Sequence, residues 1–149
     1  MEVDELLSLD NDVFACFAFW MAMLVLKMIV VALLTAIKRL ATKTFVNPED
    51  FVDKRIKLKF DHPEVERLRR VHRNDLENIL PFFVVGILYV LSDPSPVVAI
   101  NMFRAVAISR LAHTYIYIYA KPQPARFIAY LGAVVPMIYI SLMVIYSSF

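Results

Sequence analysis

The chain has 149 residues, which suits one domain, and its hydrophobic fraction of 60% lies above the roughly 45–50% of a soluble domain. Its 2 glycines exclude a glycine-rich phosphate loop, and its single cysteine excludes an internal disulfide framework and a cysteine-based metal site. The net charge of +2 says little as a sum, so the reading rests on where the charges fall.

Residues 1–12 hold five acids and no base. An apolar run follows from Val13 to Ile37, interrupted only by Lys27. About 25 residues can cross a hydrocarbon core of about 30 Å with some tilt. A cleavable signal peptide would begin basic and carry a shorter apolar core, so the run is read as a retained helix over about residues 13–38. Cys16 lies inside it and is read as a small packed hydrophobe rather than a nucleophile. Lys27 is expected to pair with an acid or polar group within the bundle, with no chemistry of its own.

Residues 38–75 are polar and dense in charge. The second helix is expected over about 64–91, with Asp61, His62 and Pro63 as its N-cap region and LENILPFFVVGILYVL as its apolar part. Ser92-Asp93-Pro94-Ser95-Pro96 marks a turn, and the third helix is expected over 97–119. Ala120-Lys121-Pro122-Gln123-Pro124 marks the next, and the fourth helix is expected over 124–147. Short turns place neighbours antiparallel, so the fold class is an all-α membrane protein. One transmembrane domain over residues 1–149 forms an up-down four-helix bundle with a loop over 39–63. Pro81 and Pro136 should bend their helices.

Lys38–Arg73 holds 11 of the 16 Lys and Arg residues. Arg110, Lys121 and Arg126 lie on the same side. The positive-inside rule then puts that loop and the Lys121 turn in the cytosol, with both termini and the Asp93 turn in the lumen. Lys43, Lys54, Lys57 and Lys59 are read as contacts to lipid headgroups.

Other ionisable groups enter the helices themselves at this cytosolic end. Arg70, Arg73, Asn74 and Glu77 share one helical face; Arg110, His113 and Tyr117 share another; Arg126 and Tyr130 are one turn apart. Such groups are costly inside a membrane and usually face the bundle interior. Arginine forks grip carboxylates, and Glu77 can receive an ammonium. The set suits a small zwitterionic peptide. Composition and spacing do not name it.

Phe45-Val46-Asn47-Pro48-Glu49-Asp50, the run Val65–Asn78 (VERLRRVHRNDLEN), Arg110-Leu111-Ala112-His113-Thr114 with Tyr117, and Pro122-Gln123-Pro124-Ala125-Arg126 together resemble the MAPEG family, the membrane-associated proteins of eicosanoid and glutathione metabolism. The resemblance is nearest the microsomal glutathione transferase branch, in an invertebrate form, with membrane prostaglandin E synthase as the sister branch. Arg73 matches that sister. Phe127 and the intact PQPxR favour the transferase. The family's transferases often carry Cys after NPED; here Phe51 stands there, so activation through that thiol is not carried over.

The resemblance implies glutathione as co-substrate and a homotrimer with sites between subunits. It implies residence in the endoplasmic reticulum membrane, with the mitochondrial outer membrane as a second address. Arg39, Arg69, Arg70, His72, Arg73, Asn74, Glu77, His113 and Tyr117 become the glutathione contacts. Arg126, assisted by Tyr130, becomes the group that ionises the thiol. The expected activity is conjugation of glutathione to hydrophobic electrophiles, with peroxidase action on lipid hydroperoxides. Membrane lipid is the other expected partner, no nucleic acid is, and no metal is needed. Two alternatives remain: a glutathione-dependent prostaglandin E isomerase, and a non-enzymatic lipid-binding scaffold.

Overall fold

The computed structural model describes residues 2–45, 47, 61–120 and 123–149. Val46, Pro48–Phe51, Lys54, Lys57, Lys59, Lys121 and Pro122 lie outside the described residues. All regular structure among those described is helical: α1 (Val3–Leu6), α2 (Asp12–Thr42), α3 (Pro63–Leu91), α4 (Pro96–Tyr115), a π-turn (Ile116–Ala120) and α5 (Gln123–Ser147).

Local chemistry fixes the helix ends. Asn11 caps α2, its side-chain oxygen accepting from the amides of Val13 at 2.9 Å and Phe14 at 3.3 Å. α2 runs to Thr42, beyond the expected end near residue 38, and stops where Lys43 takes a left-handed conformation with φ of 53°. The amide of Thr44 then returns to the carbonyl of Arg39 at 3.0 Å. The extension leaves Arg39 in the helix's last turn rather than in a loop. His62 caps α3, its Nδ1 accepting from the amide of Glu64, and Pro63 fills the first turn. α4 begins at Pro96, and its α geometry ends at Tyr115, before the expected 119, because the next five residues open into the wider π-turn. The short α1 was not anticipated.

α2 packs on α3 and α4, and α5 packs on α4 and α3. Phe17, Phe82 and Phe103, from three helices, form the aromatic centre, with ring centroids 5.0–6.0 Å apart, and Tyr89 joins it. Half-buried Cys16 packs against this core. Leu26, Ile29, Val30, Leu33 and Ile37 of α2 and Ile128, Val135, Ile138 and Leu142 of α5 are exposed. Outward aliphatic stripes of this kind face lipid rather than water.

α2, α3 and α5 are each long and apolar enough to cross a membrane. α4 falls short of that combination because Asn101, Arg104, Arg110 and His113 dilute its apolar character. Lys27 pairs with Asp75 of α3, as its place in an apolar run predicted.

Candidate functional site

Eight of the eleven expected site residues gather in two grooves rather than one. The first, about 400 Å³, lies between α2 and α3. Arg39, Arg69, His72 and Arg73 line it, with Thr35 and aliphatic neighbours. Arg39 is half-buried, and among the described residues its Nε has no partner; nor has Nδ1 of half-buried His72. Arg69 is exposed and donates to Glu66 at 2.7 Å, one turn earlier. His72 also borders an apolar recess of about 290 Å³ walled by Val25, Met28, Ile29, Leu80 and Phe83.

The second groove, about 260 Å³, is lined by His113, Tyr117, Gln123, Arg126, Phe127 and Tyr130. It is built where α4 gives way to the π-turn and α5 begins. The π-turn presents Tyr117 between two partners. Its ring centroid lies 5.7 Å from that of His113, and the Arg126 guanidinium carbon sits 4.8 Å over its face. Arg126 Nη2 also donates to Gln123 Oε1 at 2.6 Å. Tyrosine face and glutamine oxygen thus hold the guanidinium from two sides, while its buried Nε finds no partner among the described residues. Nδ1 of His113 and the Thr114 hydroxyl are also buried and, among the described residues, unpaired. Unpaired buried donors are costly unless a ligand or water completes them.

Arg70, Asn74 and Glu77 line neither groove. Arg70 and Glu77 are exposed on α3, and Asn74 is half-buried. Arg110 departs from its expected place beside His113 and Tyr117: it is fully buried and turns toward α3, where Nη2 donates to Asp75 at 2.8 Å and to the Asn74 side chain at 2.7 Å. Helical spacing gives the face of a residue but not which neighbour a long side chain reaches. Gln123 and Phe127 join the second groove unannounced. Gln123 could have been found from its place in the PQPxR stretch, at the first turn of a helix one turn before Arg126.

Electrostatically both grooves are cationic or donor-rich, and among the described residues no carboxylate lines either. Arg39, Arg69 and Arg73 suit anionic oxygens. The Arg126 groove is smaller and ringed by aromatics.

The MAPEG family profile matches residues 17–146. Human microsomal glutathione S-transferase 1 is 41% identical over 133 residues, 86% of each chain. The rat protein of the same name is 39% identical over 82% of each chain. Bovine prostaglandin E synthase is 36% identical over 142 residues, 94% of this chain and 92% of that one.

Proposed function

The chain belongs to the MAPEG family, and from that premise we propose that it is a membrane glutathione transferase joining the glutathione thiolate to hydrophobic electrophiles. Arg126 carries this reading. Its guanidinium is anchored by Gln123 and Tyr117 yet keeps a buried, unpaired Nε, so a fixed cation has a spare donor.

The residues fit glutathione. A tripeptide with two carboxylates and an ammonium needs several donors and one acceptor. Arg39, Arg69 and Arg73 supply donors in one groove, Arg70 and Asn74 lie on the adjoining face of α3, and Glu77 supplies an anion for the ammonium. The unpaired Arg39 Nε and His72 Nδ1 gain partners when such a ligand binds. His113 and Tyr117 line the groove that Arg126 commands.

A free thiol has a pKa of about 8.5, so little of it is ionised at neutral pH. A cation and a hydroxyl donor at the sulfur favour the charged form. Arg126 is the cation, helped by the positive end of α5, and Tyr130, one turn on, is the donor. The same thiolate would serve peroxidase action on lipid hydroperoxides. The electrophile enters from the bilayer and glutathione from the cytosol.

The two grooves lie on different helix pairs of one chain, which fits a site completed between subunits of a homotrimer. α4 with its π-turn runs from Pro96 to Ala120, long enough at about 1.5 Å per residue to be the fourth span. The basic helix ends then face the cytosol and both termini the lumen of the endoplasmic reticulum, with the mitochondrial outer membrane a second address.

The test is glutathione-dependent conjugation of chlorodinitrobenzene by the purified chain in lipid. Arg126→Leu should lower turnover by about 100-fold, the scale of losing one oriented transition-state donor. Glutathione affinity should change less. Retained turnover would remove Arg126 from catalysis. A second reading, a glutathione-dependent prostaglandin E synthase, is favoured by Arg73 and by the 36% identity to bovine prostaglandin E synthase. Assaying both reactions on one sample separates the two.

A further inference from the structure

Charge is buried at the heart of the bundle, outside both grooves. Asp75 of α3 and Arg110 of α4 are each 0% exposed. The Asp75 Oδ1 accepts from Arg110 Nη2 at 2.8 Å and from Lys27 Nζ of α2, so three helices meet on one oxygen.

The same Arg110 Nη2 donates to Asn74 Oδ1 at 2.7 Å and lies 3.4 Å from the Asn74 carbonyl. Asn78 Nδ2 donates to that carbonyl at 2.7 Å. Guanidinium has donors and no acceptor, so only the amide oxygen of Asn74 can face it. Residue 74 is thereby oriented. Both its oxygens are engaged inward, and its Nδ2, with two N–H groups, is turned away from Arg110. Asn74 is half-buried, on the helical face of Arg70, Arg73 and Glu77. An unrestrained asparagine could present either end of its amide to a ligand; this one presents only its donors.

We propose that Lys27, Asp75 and Arg110 form a positioning chain that fixes Asn74 as a hydrogen-bond donor to a carboxylate or carbonyl oxygen of the tripeptide. Arg110 acts through Asn74 and does not touch the ligand. Asp75 holds the guanidinium in place, and Lys27 holds Asp75 from the other side. The inference rests on the glutathione reading above.

Binding of glutathione to the full chain in lipid nanodiscs, with kcat and KM for chlorodinitrobenzene conjugation, tests it. Asn74→Asp keeps the shape and the oxygen that meets Arg110 but turns the outward donor into a charged acceptor. Glutathione Kd and KM should rise by about tenfold or more, with a smaller change in kcat. Arg110→Lys keeps the charge beside Asp75 but carries it on a shorter, unforked side chain that no longer sets a donor where Nη2 meets Asn74, and should weaken glutathione binding as well. Combined with Asn74→Ala, Arg110→Lys should add no further loss beyond that of Asn74→Ala alone, because both act through one contact. Losses that multiply in the double variant, or an Asn74→Asp chain that binds as the wild type does, would overturn the proposal. If Arg110→Lys does not fold, Asn74→Asp decides alone. A wild-type chain that binds no glutathione would overturn the functional reading and this inference with it; a wild type that binds beside an unimpaired Asn74→Asp overturns this one only.

Discussion

Asp75 serves two cations at once, and the asymmetry among the three groups makes a prediction. Asp75→Asn leaves Lys27 and Arg110 buried together without a counter-charge. Removing one member of a buried ionic set typically costs about 3–5 kcal/mol. Lys27→Met should cost clearly less, since Arg110 still neutralises Asp75. Thermal inactivation in detergent ranks the two, and the reverse order would mean that Lys27, not Arg110, is the main partner of Asp75. At this scale the sequence was only partly legible. Lys27 could be read as paired, because a lone ammonium in an apolar run has no other stable outcome. The burial of Arg110 could not be read. Its spacing from His113 and Tyr117 is right for one face, but its reach across to α3 depends on how α3 and α4 sit together.

The helices were more legible than their contents. Ser92-Asp93-Pro94-Ser95-Pro96 and His62-Pro63 announce ends that the structure keeps, because proline and the capping groups act within a few residues. The π-turn was not announced. Ile116–Ala120 has no composition that sets it apart from α-helix. Close approach between helices is written in glycine. A Cβ at Gly86 of α3 would overlap the Phe17 ring and come within 2.9 Å of its Cζ. That ring is fully buried between Phe82 and Phe103 and cannot withdraw. A Cβ at Gly132 of α5 would meet the Ser109 hydroxyl at 2.5 Å, an end that can rotate aside. Gly86→Ala should therefore destabilise by about 1–3 kcal/mol, and Gly132→Ala by less. Loss of solubilised, folded protein on heating measures both. Equal midpoints would show that the Phe17 ring can move.

In the whole molecule, the groove lined by Arg39 and the groove lined by Arg126 are separate. If sites form between subunits, an Arg39→Leu chain and an Arg126→Leu chain, each inactive alone, should complement when coexpressed. Random mixing leaves roughly a quarter of the interfaces with both halves intact, and about that fraction of wild-type turnover should return. No recovery would place the site within one chain. Family membership was legible from four ordered motifs, and the resemblance implied sites between subunits; the split of the expected residues between two grooves of one chain was not legible, since helical spacing gives a residue's face but not which helices enclose it. The buried set also has a consequence beyond geometry. Two bases on one acid leave a surplus of one positive unit. Mobile salt weakens the pull of the exposed arginines but screens this interior surplus much less. If the tripeptide docks beside Asn74 as proposed, this surplus would favour its anionic groups whichever side chain touches them.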